Sequence, residues 1–379
     1  MRTWIVRAVV AVVSAAALVF CAYVLGNRTK PTLTVATWEG SYGHAQASAQ
    51  IMPFGQASGI NALLALYGGG TRELAVQVAS RQYQWDVVDL ELPDAVAACQ
   101  SGLLEPIDPS ELPPAPGGAP AATDFVPGGI GPCWVASMVY SQVIAVSSVR
   151  TMVVPSPTLA SFFDTKAFPG KRALPRASAK LNLEMALLAD GVAPKDIYDV
   201  LMSPQGIARA LKKFDSLRGN LVWYTSAADG AAMVIDGRAS YAALPNWAVY
   251  DANTGARGQQ LAIGWDRQLY QLEVLGIPRG NPKAARARDF VRFATRAENL
   301  ARMASWIAYG PARRSAQAMV QRQPELGIDM TPYSPTAHFD TAFAVDDGWW
   351  RLHGADVDVF WQEWLTKSEP NEVTSPVAP

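Results

Sequence analysis

The chain has 379 residues, of which 50% are hydrophobic and 17% are charged, which is typical of a globular protein with room for two domains and excludes general disorder. Lys and Arg number 32, Asp and Glu number 33, and no basic run with interleaved aromatic residues occurs, so we expect no nucleic-acid partner. Residues 1–30 hold four basic residues and no acidic one. Residues 31–379 therefore carry 28 positive and 33 negative charges, a net charge of −5 that would suit contact with cationic solutes.

The N-terminus has the pattern of an export signal or a membrane anchor. Arg2 and Arg7 precede the uncharged apolar run Ala8–Leu25, whose 18 residues are at the lower edge of what spans a bilayer. We therefore expect export, while the sequence leaves open whether this run is cleaved or retained.

Three short β-rich runs follow, separated by helical patterns. Leu33–Thr37, Ile60–Tyr67 and Trp85–Leu90 predict βαβ units in a parallel sheet. Trp38 and Tyr42 come directly after the first predicted strand. Because ligands of open α/β sheets bind beyond the carboxyl ends of strands, this aromatic loop is a candidate binding wall.

The patterns of known catalytic and metal sites do not occur. The three histidines, His44, His338 and His353, lack metal-ligand spacing, and there is no nucleophile elbow, phosphate-binding loop with its Lys, or dinucleotide fingerprint. We therefore expect no cofactor and no metal. Cys99 and Cys133 form an even pair in an exported chain, which favours a disulfide over two buried free thiols.

Four blocks carry a resemblance to a known family: Trp85–Pro106, Phe168–Gly191, Leu269–Asn281 and Ile307–Pro311. Together they resemble the extracellular solute-binding proteins of bacterial ABC importers, and specifically the spermidine/putrescine-binding branch. The resemblance spans about Leu33 to Leu365 and depends on the colinear set. It implies an α/β, two-domain, periplasmic-binding-protein-like fold of type II, with a hinge and a ligand cleft between the domains.

The resemblance also implies a domain organisation, in which Trp134–Val149 carries the chain across the hinge and Leu269–Ile277 brings it back. The expected parts are an N-terminal signal or anchor (1–30), a first α/β domain (31–140 and 268–330), a second α/β domain (141–267), C-terminal helices packed across both domains (331–366) and a flexible tail (367–379).

In the resembled family an amine is held by carboxylates and aromatic faces. By position, Trp38 and Tyr42 match the aromatic wall, Glu273 the amine-binding acid, and Tyr309 a binding tyrosine. For the first two residues, packing beneath a loop is an equal alternative; for Glu273 the alternative is a solvated acid at a strand edge. Asp89, together with Glu91, lies at a strand end and is a further candidate.

This sequence departs from the polyamine pattern in its second half. Where the family has two further acids, the chain has Arg176 and its neighbours, and Asn246 falls in the family's Trp-Asn-Gly segment. If Arg176 faces the cleft, it favours a carboxylate or a phosphate on the ligand; a surface position is the alternative. Tyr224, at another strand end, is a second-rank candidate.

The expected function is that of the periplasmic solute-binding component of an ABC importer, a monomer that binds a polyamine-like or zwitterionic amine by hinge closure and delivers it to permease subunits in the inner membrane. Two alternatives come from other classes. One is an enzyme on the same scaffold that uses Cys133; the other is a membrane-tethered solute sensor that retains Ala8–Leu25.

Overall fold

The computed structural model describes residues 30–149 and 156–368. The predicted signal or anchor run Ala8–Leu25 and all but two residues of the predicted tail lie outside this part of the chain. Within it, no helix is both long enough and apolar enough to cross a membrane.

Ten strands of the described residues form one mixed sheet in the order β2-β1-β3-β8-β4-β7-β5-β6, with β9 beside β4 and β10 beside β8. The strands are β1 Thr32–Thr37, β2 Asn61–Leu66, β3 Val87–Glu91, β4 Val135–Ser147, β5 Arg172–Pro175, β6 Leu221–Tyr224, β7 Tyr241–Pro245, β8 Leu261–Gly276, β9 Gly310–Pro311 and β10 Phe343–Ala344.

Helices connect and cover these strands. The α-helices are α1 Gly40–Gln46, α2 Met52–Ser58, α3 Arg72–Ser80, α4 Leu92–Gln100, α5 Ala121–Asp124, α6 Leu159–Phe163, α7 Asn182–Ala189, α8 Ile197–Leu201, α9 Pro204–Asp215, α10 Ala227–Ile235, α11 Asn246–Thr254, α12 Ala284–Ala294, α13 Ala297–Trp306 and α14 Asp347–Ser368. A π-helical turn, Ala47–Ile51, joins α1 to α2, and 3-10 turns lie at Pro109–Glu111, Pro194–Asp196, Arg314–Met319, Thr331–Tyr333 and Pro335–His338.

The sheet has a first half in which β1 pairs in parallel with β2 and β3. Parallel neighbours need a crossover connection, and the helices between these strands supply it, as the alternating sequence pattern predicted. Leu33 and Val35 of β1 are fully buried in a core that also contains Phe290 of α12. The chain thus returns from the second half to complete the core of the first.

Two long antiparallel strands, β4 and β8, run through both halves. β4 extends over 13 residues and β8 over 16. Between the pairs Gln142↔Leu269 and Ile144↔Gly264, β4 advances two residues and β8 advances five, so the ladder is interrupted. Arg267, inside this interruption, has a φ of 51°, which is unusual for a residue with a side chain. The two halves of the sheet therefore meet at a bulge, where strands bend most readily.

The second half pairs β7 and β6 in parallel with β5. Its core includes three tryptophans of the C-terminal helix α14, Trp350, Trp361 and Trp364. The same helix also contacts α4 of the first half. The C-terminal segment is thus held mainly by the second half while touching both.

The first helices begin without the usual side-chain caps. Ser and Thr are typical capping residues, but α1 already begins at Gly40, one residue before Ser41, and the Thr71 side chain makes no capping hydrogen bond to α3. Gly43 explains the early start: a Cβ there would lie 2.3 Å from the carbonyl oxygen of Trp38. The helix therefore packs directly on the end of β1 and brings Tyr42 into the core.

A disulfide joins Cys99 at the end of α4 to Cys133 before β4, across 34 residues. It ties the Pro- and Gly-rich segment between them to the first half of the sheet. Closing a loop of this length stabilises a fold by about 3–4 kcal/mol on the chain-entropy model.

We predict that the Cys99→Ser/Cys133→Ser variant unfolds with a free energy about 3–4 kcal/mol below that of the wild type, because its unfolded chain is less constrained. Urea denaturation monitored by tryptophan fluorescence measures this difference. Dithiothreitol should lower the stability of the wild type and leave the variant unchanged. Equal stability of the two proteins would contradict the prediction.

Candidate ligand-binding site

The carboxyl ends of strands from both halves of the sheet meet around one cavity. Trp38 follows β1, Glu91 ends β3 and Pro245 ends β7. The cavity has a volume of about 370 Å³, which is in the range of small-molecule sites. It is lined by Trp38, Glu39, Ser41, Tyr42, Glu91, Tyr140, Pro245, Trp247, Tyr250, Asp251, Glu273, Trp306, Ile307, Ala308 and Tyr309. We call this space the cleft.

The lining of the cleft is acidic and aromatic. Four of the described residues that line it carry carboxylates, namely Glu39, Glu91, Asp251 and Glu273, and none is Lys or Arg. Seven others are Trp or Tyr. Carboxylates and aromatic faces both attract ammonium groups, so the cleft is suited to an amine.

Glu273 is held at the back of the cleft by Trp38. The indole Nε1 of Trp38 donates to Oε2 of Glu273 at 3.0 Å, and only 4% of Glu273 is exposed. Burial, with the negative charges of Asp89 and Glu91 nearby, raises the pKa of Glu273 well above its ordinary value. A buried carboxylate without a cationic partner is costly, so a ligand ammonium would relieve this cost.

Asp89 lies beneath the cleft and accepts hydrogen bonds from Tyr42 and Gln46. The Tyr42 hydroxyl donates to Oδ2 of Asp89 at 3.0 Å, and Nε2 of Gln46 donates to the same oxygen. Burial raises the pKa of Asp89 to about 7, although both donors act to lower it. Its other oxygen, Oδ1, has no hydrogen-bond partner among the described residues.

Tyrosines form the floor between the carboxylates. The ring of Tyr309 lies edge-on to that of Tyr42, with centroids 5.3 Å apart, and 5.8 Å from that of Tyr140. The Tyr140 hydroxyl donates to Oε1 of Glu91 at 3.3 Å. These contacts fix the ring orientations, so the floor is formed before any ligand enters.

The structure brings four of the seven predicted binding residues to the lining of the cleft: Trp38, Tyr42, Glu273 and Tyr309. Asp89 lies one layer deeper, fully buried beneath Tyr42. The roles of these side chains in binding remain predictions. Glu273, for which a solvated strand edge was the alternative, is instead buried within the ladder opposite Glu91.

Asn246 is placed differently from the expectation. It is fully buried, its Oδ1 accepts from the amide of Ser141 at 2.8 Å, and its Nδ2 donates to the carbonyls of Ala308 and Tyr333. Its amide group is therefore occupied in joining β4 to the segments around it. The neighbouring Trp247 lines the cleft instead.

Arg176 is exposed and is not among the residues that line the cleft. Its carbonyl accepts a hydrogen bond from Nε1 of Trp361 at 2.9 Å, so its backbone is held against α14. Tyr224, the second-rank candidate, is buried and donates to the carbonyl of Ala243. Arg176 directly follows β5 and Tyr224 ends β6, but only the fold shows that neither side chain lines the cleft.

The sequence analysis did not predict that an acidic and aromatic face of α11 belongs to the site. Trp247, Tyr250 and Asp251 all line the cleft. They are three and four positions apart and therefore share one side of a helix, and this helix starts directly at the end of β7. The helical spacing of these residues, directly after a strand end, is the sequence pattern that could have predicted their place in the cleft.

The candidate metal ligands and the cysteine of the enzyme alternative lie among the described residues. The described residues contain no group of three or more His, Cys, Asp or Glu that could hold a metal ion. The sulfur of Cys133, the nucleophile of the enzyme alternative, is bonded to Cys99. A disulfide sulfur is not a thiolate nucleophile.

Comparisons with known proteins identify the family and the fold. Residues 60–328, well over half of the chain, match the family described as bacterial extracellular solute-binding protein. A relative, the gamma-aminobutyric acid-binding protein of Pseudomonas aeruginosa, is 32% identical over 336 residues, which cover 89% of this chain and 91% of the relative.

Solved structures extend the likeness. The Atu4243-GABA receptor structure has a TM-score of 0.71 at 26% identity and covers 90% of this chain and 99% of its own. An ABC transporter substrate-binding protein of Bradyrhizobium japonicum USDA 110 has a TM-score of 0.73 at 26% identity, covering 89% and 100%. AgtB of A. tumefaciens R10, in complex with agropinic acid, has a TM-score of 0.63 at 27% identity, covering 89% and 100%.

These findings confirm the two-domain periplasmic-binding-protein fold and the general role, while they do not single out the polyamine branch. The protein is the solute-binding component of an ABC importer and not an enzyme. An extracellular family implies that the chain is exported. The chain belongs to the family of bacterial extracellular solute-binding proteins.

Proposed function

We propose that this protein binds a small ω-amino acid of the γ-aminobutyrate type in the cleft and delivers it, from the periplasm and as a monomer, to the permease subunits of its importer. The observation that carries the proposal is the cleft lining, in which four carboxylates and seven aromatic side chains surround about 370 Å³. The relative that binds γ-aminobutyrate supports an amine with one further polar end.

In this mechanism the ligand ammonium enters between Trp38 and Tyr309 and pairs with Glu273. A cation at this position favours the carboxylate form of Glu273 and lowers its pKa, so ligand binding releases protons from this carboxyl to solvent. Trp247 and Asp251 lie on the opposite wall, in the second half of the sheet. Closure about the bulge between Gly264 and Leu269 would bring the two walls together on the ligand, as in other hinged binding proteins.

A diamine is the second candidate. The cleft has no lining Lys or Arg among the described residues to meet a ligand carboxylate, which favours a ligand with two ammonium ends. The two candidates therefore differ at one end of the ligand, which is a carboxylate in the ω-amino acid and an ammonium in the diamine, and a ligand panel can test this difference directly.

We expect γ-aminobutyrate to raise the melting temperature of the purified protein, because a ligand that binds only the folded state stabilises it by RT ln(1 + [L]/Kd), about 2.7 kcal/mol at 100 Kd. A thermal-shift panel would contain γ-aminobutyrate, shorter and longer ω-amino acids, putrescine, spermidine and butyrate. Butyrate, which lacks the amine, is the matched control and should give no shift. A shift with putrescine and spermidine alone would replace the proposal with the diamine.

Glu273→Gln tests the assignment of the ammonium partner. The variant keeps the shape of the side chain and removes its charge, so we expect affinity for γ-aminobutyrate to fall roughly tenfold to a hundredfold, as for loss of a charged hydrogen bond. Isothermal titration calorimetry measures the change. Glu363→Gln, on the exposed face of α14, is the control and should bind like the wild type. Unchanged affinity in Glu273→Gln would remove this residue from the site.

The raised pKa values also predict a pH dependence. Burial raises the pKa of Asp89 to about 7 and raises the pKa of Glu273 well above its ordinary value. Asp89 therefore gains a proton as the pH falls through about 7, and both acids hold protons at higher pH than free carboxyls do, whereas an ammonium ligand favours their ionised forms. Affinity should therefore decrease from pH 8 to pH 5.5, by up to about tenfold per pH unit for each proton released. Calorimetry in two buffers of different ionisation enthalpy counts these protons. Constant affinity over this range would contradict the prediction.

A further inference from the structure

We propose that Lys180 is the residue that binds the carboxylate end of the ligand, and that Asp347 orients it for this role. The inference rests on the proposed function, since it applies to a ligand with both an ammonium and a carboxylate. It replaces the earlier expectation that Arg176 meets the anionic end of the ligand.

A second cavity lies along β8 next to the cleft. It has a volume of about 560 Å³, and residues of both halves of the sheet line it, among them Leu92, Gln271 and Asp347. Leu92 follows Glu91 in the chain, and Gln271 lies directly opposite Tyr140 in the ladder. Since Glu91 and Tyr140 line the cleft, the two cavities meet at adjacent residues.

Lys180 is connected to the wall of the second cavity through Asp347. Its Nζ contacts Oδ1 of Asp347 at 2.5 Å, and the Lys180 side chain is 21% exposed while that of Asp347 is 1% exposed. Burial raises the pKa of Glu91, and the positive charge of Lys180 counteracts this rise. The ammonium of Lys180 therefore acts electrostatically on a carboxylate of the cleft while its own partner, Asp347, lines the second cavity.

The turn that carries Lys180 is strained. Leu181 has a φ of 70°, a conformation that costs a residue with a side chain of the order of 1 kcal/mol or more and is concentrated at functional sites. Asn182 holds the turn by donating to the carbonyls of Pro175 and Ser178 at 3.0 Å each. This turn follows the carboxyl end of β5, so it presents Lys180 at the edge of the sheet where ligands bind.

Asp347 is suited to orient Lys180 rather than to neutralise it completely. Oδ1 of Asp347 accepts from Lys180, but Oδ2 is buried without a hydrogen-bond partner among the described residues. A lysine ammonium has three donors, so one can remain on Asp347 while another turns towards a ligand carboxylate. The ligand would then connect the acids of the first half to a cation of the second half.

The test compares γ-aminobutyrate with putrescine, which differ in the charge of one end. By calorimetry, Lys180→Met should weaken γ-aminobutyrate binding roughly tenfold to a hundredfold, as expected for loss of a charged hydrogen bond, and should not weaken putrescine binding. Lys212→Met, on the exposed face of α9, is the matched control for the loss of one positive charge and should match the wild type.

The double variant Lys180→Met/Asp347→Asn separates ligand binding from a structural role, because it removes the ion pair without leaving an unpaired buried charge. We expect it to bind γ-aminobutyrate as weakly as Lys180→Met. Recovery of wild-type affinity in the double variant, unchanged affinity in Lys180→Met, or an equal loss for both ligands would overturn the proposal. The wild-type titration judges the proposed function by itself: if γ-aminobutyrate does not bind the wild type, both proposals fail, whereas failure in the variants alone overturns only the role of Lys180.

Discussion

The long antiparallel pair of β4 and β8 is the constraint on which the rest of this molecule depends. It is the ladder shared by both halves of the sheet, and it places Tyr140 and Glu273 where the parallel strands of the first half end. Its interruption between Gly264 and Leu269 lies next to the cleft. The same element therefore joins the two walls, supplies their central residues and contains the position where bending is easiest.

Burial of acids without a cation gives the cleft its chemistry. Asp89 and Glu273 are almost completely buried and receive hydrogen bonds from Tyr42, Gln46 and Trp38. Neutral donors of this kind compensate only part of the cost of burying a charge, and the raised pKa values of both acids reflect the remainder. A ligand ammonium beside these acids would offset the remaining cost, which is the physical basis of the proposed preference for an amine.

In the proposed mode of binding, ligand discrimination would depend on the second half of the sheet. The first half supplies carboxylates and aromatic rings that any primary amine could use. The second half contributes Trp247 and Asp251 of α11 to the lining of the cleft, and the proposed partner of a ligand carboxylate, Lys180, lies on a turn of the same half. Structures of relatives with this fold are described with γ-aminobutyrate and with agropinic acid, so one scaffold accommodates different ligands.

The sequence by itself determined the alternation of strands and helices, because hydrophobic periodicity and turn residues are local properties. It also determined the fold class and the family, because several blocks of the chain resemble that family in the same order. It also placed Trp38, Tyr42, Glu273 and Tyr309 in the candidate site. The sequence could not show that the amide of Asn246 donates to the backbone carbonyls of Ala308 and Tyr333. It also could not show that the Arg176 side chain lies outside the lining of the cleft. Those outcomes, and the approach of Lys180 to Asp347 across 167 residues, follow from long-range packing, which sets the direction of each side chain at a strand end and leaves no local pattern in the sequence.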